Sequence, residues 1–219
     1  MRAAYLDCFS GISGNMFLGA LVDAGLPEQV LRDAIAKIDL KGFSIKIKPV
    51  DKWGIRATHL DVDLTAKHHH RGLADILKLI RAAELPDAVK DKACLVFERL
   101  GKAEAKVHGM PLDKVHFHEV GAVDAIIDIV GTVFGFHYLG VEQIYCSPLR
   151  DGRGFVKAAH GIMPIPAPAT AELLHGIPWY PGDIDKELVT PTGAALVAEL
   201  CSGFGDRPSG FLAEKTAYG

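Results

Sequence analysis

Few cysteines, no long apolar run and no excess of one charge characterise this sequence, and each absence excludes a class of protein. None of the four cysteines forms a CxxC pair, so a structural zinc site and a disulfide framework are disfavoured. We expect reduced thiols, as in the cytoplasm. No run of about 18 uncharged apolar residues occurs, which argues against a membrane-spanning helix. Asp7 follows too soon after the start for a signal peptide.

The charge balance argues against a nucleic-acid binder. Lys and Arg total 24 and Asp and Glu total 27, a formal net charge of -3. Proteins that bind nucleic acid through its phosphates need an excess of basic residues instead. The 219 residues, 49% of them hydrophobic, carry no repeat and no clear linker, so we treat residues 1–219 as a single domain. The ten histidines are unusually many, and metal binding is therefore one hypothesis for the function.

Hydrophobic periodicity predicts an α+β fold with a mixed sheet, packed helices and one buried central helix. We expect a hairpin turning at Trp53 and Gly54, with a bulge near residues 58–59 because the apolar positions change parity there. A proline-rich stretch at 163–168 cannot be a central strand, and another strand is expected across 144–149. Helices are predicted near residues 15–24, 27–38, 73–81, 86–107, 120–139, 169–174 and 191–200.

The helix expected at residues 120–139 is the strongest anomaly. Apolar side chains cover nearly its whole circumference, which predicts burial. The narrow remaining stripe contains Asp124 and Asp128. Buried carboxylates need a cation, hydrogen bonds or a proton, because a desolvated charge is costly.

His116 and His118 are expected on one side of an extended segment just before this helix, with Glu119 next to them in the sequence. Together with Asp124 and Asp128 they offer the nitrogen and oxygen ligands that suit Ni(II) or Zn(II). In the alternative, the aspartates cap a loop and the histidines are partly exposed. A second candidate for metal loading is the histidine run at 68–70, which could equally be a solvated loop.

Two segments resemble anion-binding helix starts. Residues 7–15 form a small-residue turn that is expected to connect a short strand to a helix. The backbone amides at the N-terminus of a helix favour the binding of phosphate. Thr190, followed by proline, is placed to cap the last helix. An ordinary capped turn is the competing interpretation of both. The candidate phosphate-binding residues are Ser10, Gly11, Ser13, Gly14, Thr190 and Thr192.

Four segments together resemble one protein family. They are YLDCFSGISGNM at 5–16, HFHEVGAVDAIIDIVG at 116–131, HGIMPIPAPAT at 160–170 and ELVTPTGAAL at 187–196. In this order they are similar to the LarC-type nickel insertion proteins of nickel-pincer cofactor biosynthesis. The resemblance spans essentially the whole chain.

The resemblance implies a cytoplasmic cyclometallase of the lyase class. Such a protein inserts Ni(II) into pyridinium-3,5-bisthiocarboxylic acid mononucleotide with the use of CTP, and the product serves lactate racemase. The substrate's ring loses a C–H proton during insertion, which requires a base. We therefore take Asp7, His118 and Glu119 as candidate catalytic residues, and His116, His118, Asp124 and Asp128 as candidate nickel ligands.

Two departures from the family pattern bear on these expectations. The family has an acid where this chain has Asn15, which weakens the site if that acid binds metal or takes the proton. Family members are also about twice as long. The chain is thus expected to be an N-terminal part, with CTP and a divalent cation bound by a C-terminal portion that it lacks. The expected partners are that portion, the mononucleotide, apo-lactate racemase and further copies in a homo-oligomer, with neither nucleic acid nor membrane.

Two other functions remain open. The chain could be a non-catalytic Ni(II) delivery module that needs a partner chain. The carboxylates and histidines could also serve a metal-dependent hydrolase acting on a phosphorylated small molecule.

Overall fold

The computed structural model describes residues 1–65, 71–115, 117, 123–158 and 160–219. These ranges form a mixed α+β fold, as the periodicity predicted. Their helices are α1 (Gly14–Asp23), α2 (Glu28–Ala36), α3 (Leu73–Ala82), α4 (Asp87–His108), α5 (Val123–Tyr138), α6 (Pro168–Leu173) and α7 (Pro191–Leu200). Their strands are β1 (Ala3–Leu6), β2 (Phe43–Lys52), β3 (Ile55–Leu64), β4 (Gln143–Cys146), β5 (Leu149–Asp151), β6 (Phe155–Ala158), β7 (Gly161–Pro164), β8 (Trp179–Pro181) and β9 (Gly203–Phe204).

Helix α5 is the buried central helix that the sequence predicts. It packs against α1, α2, α4 and α7, and most of its side chains are excluded from solvent. Gly131 and Gly135 let neighbouring helices approach closely: a Cβ on Gly131 would lie 2.9 Å from Leu18, and one on Gly135 would lie 2.8 Å from Leu21. Each fully buried leucine or isoleucine around α5 contributes about 1.5 to 3 kcal/mol.

A three-stranded parallel sheet, in the order β1-β4-β9, carries the chain's N-terminal turn. Parallel and antiparallel pairs both occur, but in separate small sheets rather than in one. Strands β5 and β8 form a parallel pair, and β6 and β7 an antiparallel one. The single strand expected across 144–149 is in fact two, β4 and β5, which belong to different sheets.

The hairpin of β2 and β3 turns at Trp53 and Gly54 as predicted, but the predicted bulge is wrong. The register runs without interruption from Phe43↔Leu64 to Lys52↔Ile55. One face of the hairpin carries Leu60 and Val62 toward the core. Ile55 lies near the hairpin turn and is 53% exposed, so its apolar character does not mark a buried face.

The proline-rich stretch begins as β7, the second strand of a two-stranded hairpin, and then enters α6. This agrees with its exclusion from a central strand, because a two-stranded hairpin consists only of edges. Within the described parts of the chain, no helix is both long and apolar enough to cross a bilayer.

Candidate functional site

The turn between β1 and α1 is held by backbone contacts to the segment before α7. Ile12 bridges Val189, its amide donates to the carbonyl of Leu188 at 2.9 Å, and the amide of Gly11 donates to the carbonyl of Cys8 at 3.2 Å. Gly11 has a φ of +84° and lies against the Leu188 backbone, so no other residue fits there without strain. Two of the amides considered for phosphate binding, those of Gly11 and Ile12, therefore already have partners.

The first turn of α1 has no side-chain cap. Ser13 is its N-cap residue, but the Ser13 hydroxyl donates to Oδ1 of Asn15 at 2.5 Å instead of capping a backbone amide. The first amides of a helix have no partner within the helix. In the described part of the chain, no hydrogen bond from the amides of Gly14 and Asn15 is found. The positive end of the α1 dipole is thus available to a negative group.

A second helix begins beside α1. Thr190 caps α7 as predicted, its Oγ1 accepting from the Gly193 amide at 3.1 Å. A Cβ on Gly193 would lie 2.7 Å from the carbonyl carbon of Ile12 and 3.0 Å from the Cα of Ser13. Gly193 therefore lets the starts of α1 and α7 lie side by side. Thr190 uses its side chain for the cap, and Thr192 is buried.

The negative group at the start of α1 is Asp128. Helix α5 sets its side chain against Gly14, so closely that a Cβ on Gly14 would lie 2.6 Å from Asp128 Cγ. Asp128 Oδ1 is buried and has no hydrogen-bond partner among the described residues. Burial, reinforced by the charges of Asp124 and Asp61, raises the pKa of Asp128 to about 8. The site therefore favours a proton or a cation at this carboxylate.

Asp124 lies one turn before Asp128 on α5, where its Oδ1 accepts from the backbone amide of Ala125 at 2.9 Å. Both aspartates are half-buried. The predicted stripe thus brings two carboxylates together, and since Asp128 Oδ1 has no hydrogen-bond partner among the residues that the structure describes, a proton or a cation is left to offset its burial.

Asp61 of β3 is a member of this acidic group that the sequence reasoning missed. Its charge acts on Asp128 across the α5–β3 contact. His59 lies beside it, with Nε2 3.1 Å from Asp61 Oδ2. Alternation places His59 and Asp61 on one face of β3. That alternation was visible in the sequence, but nothing local indicated that β3 lies near α5.

A buried aspartate holds the segment that supports the turn. Asp151, at the end of β5, is fully buried, and its Oδ1 accepts from the amides of Gly152, Leu188 and Val189 at 2.7, 3.0 and 3.0 Å. Since Val189 bridges Ile12, Asp151 fixes the support of the α1 turn. Sequence reasoning did not single out this residue.

The remaining predicted residues lie elsewhere or outside the described ranges. Asp7 follows β1, is half-exposed and faces Arg207, with Asp7 Oδ2 3.8 Å from the guanidinium. It is not among the groups that shift the pKa of Asp128. Ser10 is exposed in the turn. His116, His118, Glu119 and the run at 68–70 fall outside the described residues.

A pair of histidines forms where the C-terminal end of α4 meets the β6–β7 turn. The rings of His108 and His160 lie 4.9 Å apart, and His108 Nε2 is 3.4 Å from Glu104 Oε2. Over the ranges that the structure describes, no group of three or more His, Cys, Asp or Glu side chains is arranged to hold a metal ion. Asp124 and Asp128 thus need further ligands to form a complete metal site.

Comparison with known proteins agrees with the family resemblance of the sequence motifs. The model of the nickel insertion protein family matches residues 4–219. A pyridinium-3,5-bisthiocarboxylic acid mononucleotide nickel insertion protein of Desulfitobacterium hafniense strain DSM 10664 / DCB-2 is 54% identical over 219 residues, which are 100% of this chain and 54% of the relative. A protein of the same description from strain Y51 is 53% identical, with the same shares covered.

The chain spans about half the length of these curated relatives. No solved structure matches it. The family match covers almost the whole chain and agrees with the motifs quoted above. The chain therefore belongs to the nickel insertion protein family.

Proposed function

We propose that this chain provides the nickel-handling part of a cyclometallase that inserts Ni(II) into pyridinium-3,5-bisthiocarboxylic acid mononucleotide. The observation that carries the proposal is the Asp128 carboxylate, which is set against the first residue of α1 and whose Oδ1 has no hydrogen-bond partner within the described ranges. The names of the relatives supply the substrate. The reaction is of the lyase class and depends on CTP in the full-length protein.

Nickel is cargo in this reaction, so its ligands must hold it and then release it. Asp124 and Asp128 provide oxygen ligands, and His116 and His118 complete the set with imidazole nitrogens. Softer sulfur and carbon donors of the substrate then take the ion over. Deprotonation of Asp128 is favoured once a cation binds, because the cation offsets the charges of Asp124 and Asp61.

The substrate's ring gives up a C–H proton as nickel enters, and a nearby base must accept it. Asp7, His118 and Glu119 are the proposed catalytic residues. The pairing of Asp7 with Arg207 keeps the Asp7 carboxylate on the side of the sheet that carries Tyr5. This favours His118 or Glu119, next to the proposed nickel ligands, as the group that takes the proton.

The substrate's phosphate is proposed to bind at the paired starts of α1 and α7. The amides of Gly14 and Asn15, which donate to no acceptor in the described part of the chain, suit an oxyanion, and Ser10, Gly11, Ser13, Thr190 and Thr192 shape the site. Asp124 and Asp61 place negative charge nearby and repel a phosphate while no cation is present. Nickel should therefore bind before the mononucleotide does.

The other half of the protein is proposed to bind CTP with a divalent cation. The whole protein is then cytoplasmic, forms a homo-oligomer and passes the cofactor to apo-lactate racemase. This chain alone, residues 1–219 as one N-terminal domain, is inactive in insertion because the nucleotide-binding portion is missing. The length of the relatives supports this division.

The experiment is a calorimetric titration of the chain with Ni(II). We expect binding in the micromolar range or tighter, and a loss of at least about tenfold in affinity in Asp128→Asn and in His118→Ala. Asp113→Asn, an exposed aspartate outside the site, is the matched control and should bind as the wild type does. Loss of binding only on deletion of residues 68–70 would move the nickel site to the histidine run.

The alternative function is a delivery module that carries Ni(II) without turnover. It predicts the same nickel titration but no dependence of mononucleotide binding on nickel. Titrating the mononucleotide with and without Ni(II) separates the two: enhancement by nickel supports insertion, and equal affinities support delivery.

A further inference from the structure

Three of the four cysteines meet in space, although they are far apart in the sequence. Sγ of Cys8, just after β1, lies 3.6 Å from Sγ of Cys146 at the end of β4, a sequence separation of 138 residues. Cys201, which follows the last residue of α7 and precedes β9, lies near enough to Cys146 to raise the pKa of its thiol. Cys94 is buried in α4 and has no thiol contact of this kind among the described residues.

We infer that Cys8 and Cys146 are a thiol modification site that closes to a disulfide by exchange with a small-molecule disulfide such as oxidised glutathione, which enters at Cys201. Cys8 and Cys146 are buried, at 3% and 0% exposure, whereas Cys201 is partly exposed. Access therefore runs from Cys201 to Cys146 and then to Cys8.

The backbone around the thiols is fixed, so their contact does not depend on loose side chains. The Cys8 amide donates to the Ser147 hydroxyl at 2.9 Å, and the Cys146 carbonyl accepts from the Gly205 amide at 2.9 Å. The Cys8 carbonyl also accepts from the Gly11 amide, which ties the thiol to the turn before α1. A disulfide needs the two sulfur atoms at about 2.05 Å, so the sulfurs must come about 1.5 Å closer than the 3.6 Å at which they lie.

The chemical environment decides which thiol reacts first. The hydrogen bond to Cys146, together with burial, raises the pKa of Cys8, and the nearby Cys201 thiol is the main cause that raises the pKa of Cys146. Protonated thiols are poor nucleophiles. Both buried thiols are therefore slow toward an external oxidant, and attack begins at the accessible Cys201.

The exchange proceeds in three steps. The thiolate of Cys201 attacks one sulfur of the small disulfide, and the first small thiolate leaves and takes a proton. Cys146 loses its proton and attacks Cys201 Sγ, which releases the second small thiol. Cys8 then loses its proton and attacks Cys146 Sγ, and Cys201 returns to a thiol. Overall, two protein thiols become one disulfide while one small disulfide becomes two thiols.

This arrangement is not suited to hold a metal ion. The described residues contain no set of three metal-ligating side chains placed around one point, and the three thiols are no exception. Disulfide exchange requires only pairs of thiols that can reach each other: Cys8 and Cys146 are in contact, and Cys201 lies near Cys146. It needs neither nickel nor the mononucleotide, so its test is independent of the proposed function.

The test treats the 219-residue chain with oxidised glutathione, blocks free thiols with excess N-ethylmaleimide, and maps the peptides by mass spectrometry. We expect a disulfide linking the Cys8 and Cys146 peptides that reduced glutathione reverses, with Cys94 alkylated only after denaturation. Glutathione retained on Cys201 without an internal disulfide, or no reaction at all, would overturn the inference.

Two variants test the route. Cys201→Ser should slow closure by at least about tenfold, because it removes the accessible thiol, and Cys94→Ser should close at the wild-type rate. An unchanged rate in Cys201→Ser would refute entry at Cys201. Since the peptide map is made on the wild type, the result does not depend on whether Cys8→Ser or Cys146→Ser folds.

Discussion

The carboxylate of Asp128 rests directly on the Cα of Gly14, so the central helix α5 places an acid at the start of α1. The contact joins the two segments that the sequence singled out separately, the small-residue turn and the aspartate stripe. The start of α1 gives the carboxylate a favourable electrostatic environment, whereas burial opposes its charge. A bound cation would stabilise the charged form of the Asp128 carboxylate.

Gly14→Ala should destabilise the protein, since the new Cβ would overlap the Asp128 side chain. We expect a loss of about 1 to 3 kcal/mol, the usual cost of overpacking, measured by urea denaturation. Gly101→Ala is the matched control, because a Cβ on Gly101 of α4 would meet the ends of two leucine side chains at 3.0 and 3.1 Å and the Phe117 ring at 3.6 Å. A Gly14→Ala protein as stable as Gly101→Ala would contradict the close contact.

Asp128→Asn should change how stability depends on pH. The folded protein holds the Asp128 proton up to a pKa of about 8, while the ordinary pKa of an aspartate is 3.8. The unfolded chain therefore releases this proton first, and the wild type loses stability as the pH rises between these values. Asparagine has no proton to release, so the stability of the variant relative to the wild type should rise by several kcal/mol over that range, at about 1.4 kcal/mol for each unit of pKa difference.

The measurement is urea denaturation of both proteins at pH 5, 6.5 and 8. The charges that act on this carboxyl are those of Asp124 and Asp61, and both remain in the variant. A stability difference that does not change between pH 5 and pH 8 would show that Asp128 is not held protonated by its surroundings.

Local patterns predicted the parts of the site that depend on one element. The apolar residues around nearly its whole circumference predicted that α5 is buried, and from that followed the burial of the Asp128 carboxyl group. The Thr-Pro start of α7 likewise predicted the Thr190 cap, because that hydrogen bond joins residues three apart.

The features that were missed depend on contacts between distant segments. Asp61 joins the acidic group only because β3 packs on α5, and Cys8 meets Cys146 across 138 residues. The expected bulge in β3 failed for a related reason. It assumed that Ile55 faces the core, whereas the residue lies exposed near the hairpin turn. The sequence shows whether a residue is apolar, polar or charged, but not which distant residues it contacts in the fold.

Asp151 should be needed for the position of the α1 turn as well as for stability. Its Oδ1 accepts three backbone hydrogen bonds, two of them from Leu188 and Val189. Asp151→Ala should cost at least about 3 kcal/mol, since it leaves buried amides unpaired, and Asp151→Asn about 1.5 to 3 kcal/mol, since it keeps an acceptor but loses the charge.

Thermal unfolding of the two Asp151 variants tests this order. A proteolysis pattern that opens at residues 9–14 in Asp151→Ala would show that the support of the turn is lost. Equal stability of Asp151→Ala and the wild type would refute the structural role of this carboxylate.

The last prediction is that nickel binding and CTP binding belong to different portions of the protein. A chain of 219 residues with 49% hydrophobic composition buries enough surface to fold alone, so we expect one cooperative unfolding transition.

Insertion should nevertheless require the C-terminal portion, because the proposed nickel ligands lie in this chain and CTP is proposed to bind in the other. The assay combines the chain, Ni(II), CTP, the mononucleotide and apo-lactate racemase, with and without the C-terminal portion of a relative in trans. Racemase activity with this chain alone would refute the division. Nickel binding without activity in either mixture would favour the delivery module, or a site weakened by Asn15, and Asn15→Asp or Asn15→Glu then separates these two by restoring activity only in the second case.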